Sequence, residues 1–399
     1  MQHLKYWVWL SALSGVGAVS ALRLLNHFGD AEKIFLADEK EYRQVVGLKP
    51  SDISALADKN LDRANATLYD CERMGCRVLT FFDDEYPARL RNVYNPPIML
   101  YVKGSLPKID NEAVVGIVGT RNCTPYGFSA AESISYKLSK CGLIVTTGLA
   151  RGIDSAAAKG ALRAGGHVIG VIGSGHGVVY PPENKGLFED VATFGAIISE
   201  YPPSTPIAKT HFPARNRIIS GISLGVAVIE APKRSGALIT ASRALEQGRD
   251  VFTLPGNIDA ISCEGSNLLL RDGAIAILSA EDIISEYAAL FPDKIKPDTG
   301  ENVRTKQNLQ SSAEKIKPSL SKKEIDNITR VEYIDVEEII GALDGDERIV
   351  AETIRLESMH IDDIISCSGL EASRVLTAIT MLEIKGSILS SKGKFYSLK

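Results

Sequence analysis

The chain has 399 residues, 45% hydrophobic and 24% charged, with a formal net charge of −4. That length exceeds one ordinary core and implies two to three domains, and the composition is that of a folded, soluble chain, not a disordered or fibrous one. Mild acidity excludes a protein that coats nucleic acid by bulk charge but leaves room for a local basic face.

At the N-terminus, "YWVWLSALSGVGAVSAL" follows a lysine and imitates the apolar part of a signal peptide. The break at "SGVGAV" and the direct run into amphipathic "LRLLNHFGDAEKIF" argue against export. No other run reaches membrane-spanning length. A cytoplasmic location away from the membrane is expected. Residues 1–65 read as short helices around two turns, "SGVGAV" and "VVGLKP", on a helix-hairpin-helix (SAM-like) plan. The turn N–H groups of such a unit can hold a DNA phosphate. A plain helical packing module fits the same residues, because Lys49 is the only basic residue near either turn. Residues 66–110 are expected to form a connecting extension.

From 111 to 290 the period changes. "AVVGIVGT", "LIVTTG", "HVIGVIGSG", "AIISE", "GVAVIEAP" and "DVFTLPG" are short apolar runs, most followed by glycines and a helical stretch. Such alternation predicts an α/β domain with a doubly wound, Rossmann-like parallel sheet, whose ligands bind beyond the carboxyl ends of the strands. Residues 291–325 are polar, have few large apolar side chains and read as a flexible linker. In 326–399, "DERIVAETIRL", "HIDDIISCSGL" and "EASRVLTAITMLEIKG" read as helices, and "SILSSKGKFYSL" as a hairpin turning at Lys392-Gly393-Lys394. Three helices and a hairpin make a winged helix, whose third helix often enters the major groove. From 330 onward, however, eight basic residues face thirteen acidic ones, and Arg374 is nearly alone on that helix. A net −5 module is a poor phosphate binder, so protein contact is the expected role.

The predicted strand ends collect cations. Arg121 follows the first strand and Arg151 the second; Lys209, Arg215 and Arg217 lie in or beside "THFPARNRIISG", read as a loop; Lys233 and Arg234 precede Ser235-Gly236 at a helix start. These loops meet at one sheet edge, where the helix start offers backbone donors and a favourable dipole to an anion. Phe212 and Asn216 complete the candidate set, which is read as nucleic-acid-binding. Isolated surface salt bridges are the bland alternative for the arginines, worth little each.

The anion is not a dinucleotide: "GIVGTRN" is not G-x-G-x-x-G, and no acidic residue closes the second strand. A P-loop is absent. The six cysteines are scattered without a C-x-x-C pair and read as reduced core thiols; no metal or cofactor is expected. No histidine stands in a visible triad or dyad, and Asp154 reads as a helix N-cap rather than a general base. Glu230, at a strand end, is the one carboxylate open to a catalytic reading.

In order along the chain, "YPARLRNVYNPPIMLYVKG", "GIVGTRNCTPYG", "TTGLARGIDSAA", "VVYPPEN", "IISEYPP", "FPARNRIISGIS", "SGALITASRALEQGRDVFTLPG" and "GSNLLLRDGA" resemble the motifs of the DNA-processing protein A (DprA/Smf) family. The resemblance is dense over 81–280, and the flanking modules match the layout of longer members. Ala158 stands where members commonly carry His, and Gly177 where an Asp is usual, which puts catalytic use of those positions in doubt. The resemblance implies a dimeric, non-enzymatic binder of single-stranded DNA that protects incoming strands in natural transformation and loads RecA recombinase onto them. The alternative is a nucleotide phosphoribohydrolase using Glu230 on a nucleoside monophosphate; those enzymes resemble this chain in fold but carry P-G-G-x-G-T where this one has "KRSGALIT". A sequence-specific regulator acting through the winged helix is opposed by that module's charge.

Overall fold

The computed structural model describes residues 3–296, 343–354, 359–385, 387–391 and 395–398. They fall into two units, within 1–301 and 302–399.

The first unit opens with α1 (Leu4–Ala12), α2 (Ala18–Phe28), α3 (Ala31–Leu36), α4 (Glu39–Tyr42), α5 (Pro50–Leu56) and α6 (Asp62–Met74). Gly29 and Gly75 end α2 and α6 at φ 78° and 65°, the left-handed region glycine enters freely. Trp7, Trp9, Leu24, Leu25 and Ile34 share the buried core of this module. The Ser20 hydroxyl donates to Asp52 at 2.8 Å, and Asp52 also accepts the Lys49 N–H at 2.9 Å. A carboxylate rather than a cation therefore sits between the two hairpin turns. Residues 65 and 66, the expected seam, lie inside α6.

Then follow β1 (Cys76–Thr80), α7 (Ala88–Arg91), β2 (Met99–Gly104), β3 (Val114–Val118), α8 (Pro125–Lys140), β4 (Ile144–Thr147), α9 (Ile153–Arg163) and β5 (Val168–Ile172). The chain continues through α10 (Lys185–Phe194), β6 (Ala196–Ser199), α11 (His211–Ile222), β7 (Gly225–Val228), α12 (Gly236–Glu246), β8 (Asp250–Thr253), α13 (Glu264–Arg271), β9 (Ile275–Ala276) and α14 (Glu281–Ala288). All nine strands form one sheet in the order β1-β2-β6-β5-β4-β3-β7-β8-β9. From β6 to β9 the pairs are parallel; β1 and β2 are antiparallel additions at one edge. Residues 66–110 are thus part of the sheet as well as a connection.

The doubly wound plan holds. Ile134, Leu138, Val191 and Ile283 of α8, α10 and α14 pack with Val115, Ile117 and Val145 on one face. Leu90, Ile218, Ile222 and Ala241 of α7, α11 and α12 pack with Val114, Val118 and Val226 on the other. Strands covered on both faces carry apolar residues at successive positions, which is why they read as continuous runs. β2 alternates differently: Leu100 and Val102 enter the core beneath α11, while Met99 and Tyr101 enter the core of the N-terminal helices.

In the second unit α15 (Gly345–Ile354), α16 (Ile361–Ser368) and α17 (Ala372–Ile384) accompany a sheet ordered β10 (Met359–His360), β12 (Phe395–Leu398), β11 (Ile388–Ser391). Val350, Ile354, Ile364, Val375, Ile379 and Leu382 form its core. This is the winged-helix plan. Each cation among its described residues is paired within the unit: Arg374 with Asp346 at 2.6 Å, Lys385 with Glu347 at 2.5 Å and Arg348 with Glu352 at 3.1 Å. The expected linker beyond 296 and the turn at 392–394 lie outside the described residues.

Candidate nucleic-acid interface

Strand order reverses at β3, since β4, β5 and β6 lie to one side and β7, β8 and β9 to the other. A reversal leaves a crevice at the carboxyl ends of the strands, because the loops leaving the two neighbours depart over opposite faces. A cleft of about 340 Å³ sits there, walled by the loop after β3, the start of α9, the first turns of α11 and α12, and Ile239 and Thr240.

Its rim is cationic and aromatic. Arg121 is exposed in the β3 loop, and its guanidinium lies 4.9 Å from the centre of the Phe212 ring. Phe212 is half-buried, with the Tyr180 ring tilted against it at 5.8 Å. Arg234 stands exposed across the cleft, before α12. Ser235 caps that helix by accepting the Ala237 N–H at 3.3 Å, and Gly236 leaves its first turn open to solvent. An eleven-residue helix so oriented offers partial positive charge to an anion.

The floor is a buried pair of opposite charges. Arg215 donates to the carbonyl oxygens of Gly148, at 2.8 Å, and Val171, and its Nε donates to Asn216 at 3.2 Å. Burial pushes its pKa down to about 10, which leaves it positive at neutral pH. Burial also raises the Asp154 carboxyl, while Arg215 pulls it back down. Asn216 ties α11 to α12 by donating to the Gly236 carbonyl oxygen at 3.2 Å.

"THFPARNRIISG" is a helix over most of its length, not a loop. Pro213 falls in the first turn of α11, where no intrahelical N–H bond is needed. Successive helical side chains point about 100° apart, so neighbouring residues cannot all face one cleft. Arg215 turns inward. Arg217 turns away: it donates to the Asn95 carbonyl oxygen at 2.7 Å and to Glu200 at 2.6 Å. Arg151, exposed, is held by Glu183, and Lys209 is exposed before α11; neither lines the cleft. Lys233 lines an adjoining depression. Of the seven cations expected to converge, the cleft holds Arg121, Arg215 and Arg234.

Of the groups open to a catalytic reading, Glu230, His176 and His211 are committed outside the cleft. Glu230 is buried and accepts the Thr124 N–H at 3.1 Å and the Thr124 hydroxyl at 2.9 Å, so close above Gly127 that a β-carbon there would collide with it. The N-cap of α9 is Gly152, not Asp154; Asp154 accepts from the Ala150 N–H at 3.4 Å and faces the cleft. His211 pairs through Nδ1 with the Gly173 carbonyl oxygen at 3.0 Å and stacks on Tyr201. His176 donates from Nε2 to the Ile197 carbonyl oxygen, and burial holds its pKa down at about 4. Among the described residues, no group of three His, Cys, Asp or Glu side chains is placed to hold a metal.

Sequence reasoning missed Asn122, Ile239 and Thr240 as cleft residues, and Tyr180 behind the ring. The signal for Ile239 and Thr240 was their spacing of three and four from Gly236, which puts them on one helix face.

Comparison with known proteins agrees with this architecture. Residues 77–288 match the family model for DNA recombination-mediator protein A, and 339–394 that for the DprA winged helix domain. The chain is 32% identical to Protein Smf of Synechocystis, covering 98% of both. It is 42% identical to the DNA processing protein DprA of Bacillus subtilis over 53% of this chain and 71% of that protein. The X-ray structure of DNA processing protein A from Streptococcus pneumoniae superposes with a TM-score of 0.62 at 32% identity, covering 71% of this chain and 97% of that one. A rebuilt doubly wound sheet, its cationic crevice and the matching C-terminal module point the same way: the chain belongs to the DNA recombination-mediator protein A (DprA/Smf) family.

Proposed function

We propose that the cleft binds single-stranded DNA without regard to sequence and without altering it. On this reading the protein works in the cytoplasm as a homodimer, shields incoming strands in natural transformation and helps load RecA recombinase onto them. One observation carries the binding site: an exposed guanidinium beside a half-buried aromatic ring, facing a second guanidinium at an open helix start. A ring stacks on any base, and cations and helix N–H groups hold phosphates, so affinity arises without base-edge readout. Family membership supports the role in recombination.

Against the phosphoribohydrolase reading, Glu230 is buried beneath α8 and accepts from the N–H and hydroxyl of Thr124.

Titration of labelled oligo-dT, with duplex DNA and AMP as competitors and an assay for base release, tests the proposal. The expected result is length-dependent oligo-dT binding, weak competition and no hydrolysis; preferential AMP binding with base release would overturn it. Sedimentation of the full chain tests the dimer, and RecA filament growth on strands coated with single-strand-binding protein tests loading.

A further inference from the structure

A second, more open depression of about 550 Å³ lies next to the cleft on the outer face of α12. The two share Arg234, Ser235, Gly236 and Ile239. The depression continues through Ser242, Arg243 and Glu246. Counted from Ile239, these residues stand at three, four and seven, one stripe of a helix. Ile239 leaves the cleft with 39% of its surface exposed, an apolar contact set between cations at both ends. Lys233 and Arg234 stand at the near end and Arg243 at the far end. Arg243 is held by Glu246 at 2.6 Å, with both side chains about half exposed. A surface pair of this kind is weak, so a phosphate can displace the carboxylate at small cost.

We infer that the nucleic-acid track continues out of the cleft along this face of α12, with Lys233 and Arg243 holding phosphates, Ile239 under a base and Glu246 competing for Arg243. This rests on the reading of the cleft as a single-strand site. From Ser235 to Glu246 the helix runs about 16 Å, room for about five phosphates at the ~3.4 Å duplex spacing and fewer in a stretched strand. A strand that fits the cleft alone gains nothing from the stripe; a longer one does.

The test uses the full chain and oligo-dT of about 6 and about 12 nucleotides, within the range of single-strand site sizes. Arg243→Gln is expected to leave the short oligonucleotide unaffected, to weaken the longer one by about threefold to tenfold, and to lower its salt slope by about 0.7. Glu246→Gln is expected to strengthen the longer one. Opposite signs at two exposed, mutually paired residues separate a strand contact from a folding defect. The inference fails if neither variant changes the longer oligonucleotide, or if Arg243→Gln weakens both lengths equally. Arg121→Gln reports on the cleft separately. If it weakens both lengths while the α12 variants change neither, the track falls and the cleft stands; if it changes neither length, the cleft reading itself falls.

Discussion

Arg215 lies flat against Gly148, donating to its carbonyl oxygen at 2.8 Å, with Nη2 only 2.5 Å from where a β-carbon at 148 would stand. The contact couples the end of β4 to α11, whose first turns line the cleft. Gly148→Ala is therefore expected to lower stability by about 1–3 kcal/mol, the cost of overpacking a buried site. Arg215→Met should cost more, about 3–5 kcal/mol, because two buried carbonyl oxygens lose their donor and the buried Asp154 loses a nearby opposite charge. Urea unfolding measures both, and a Gly148→Ala protein as stable as the parent would show that Arg215 can move aside.

Phe212 and Arg121 make different contributions to one contact. Phe212→Ala is expected to weaken oligo-dT binding by about 1–3 kcal/mol per stacked base without changing the salt dependence. Arg121→Ala should weaken it and also lower the salt slope by about 0.7. The melting temperature of Phe212→Ala checks the assignment: a stability loss of about 3–5 kcal/mol, as for a buried ring, would make Phe212 a packing residue.

Arg217 should behave unlike its neighbours. Its guanidinium joins α11 to the chain before β2 through Asn95 and to Glu200. Arg217→Ala is expected to lower the urea midpoint while leaving the salt slope of DNA binding unchanged, since no phosphate contact is lost.

His176 makes stability depend on acidity. Its folded pKa is held near 4 by burial, against 6.5 ordinarily, so below pH 6.5 the unfolded chain binds a proton that the folded chain refuses. Stability then falls as pH drops from 6.5 toward 4, by about 3 kcal/mol at most. His176→Gln should flatten that part of the profile. An unchanged slope in the variant would assign the acid sensitivity to other groups.

Removing residues 325–399 is expected to leave oligo-dT affinity within about tenfold, or 1.4 kcal/mol. From 330 onward that module carries eight basic residues against thirteen acidic ones, so its net charge opposes a phosphate contact. A larger loss would place the module in the DNA site.

The central sheet was legible because its strands are buried on both faces, so "VVGIV" and "VIGVI" stand out as unbroken apolar runs. The cleft was legible as a set of loops because parallel strands deliver their carboxyl ends to one edge. Side-chain direction was not legible. Pro213 and the polar run Arg215-Asn216-Arg217 masked a helix whose apolar side emerges only at Ile218, Ile219 and Ile222. Of the two partners that turn Arg217 away, Asn95 lies 122 residues distant. β1 and β2 were hidden for a similar reason, because β2 joins the sheet through β6, far along the chain.

β2 has no face of its own turned to water: Met99 and Tyr101 belong to one core, Leu100 and Val102 to the next. Loss of the N-terminal helices would uncover one side of a strand whose other side still supports α11. Amide protons on both sides of β2 should therefore exchange together, in one cooperative opening rather than two. Damage to Trp7 or Leu25 is therefore expected to loosen β2 and, through Leu100 and Val102, the packing of Ile218 and Ile222 on α11.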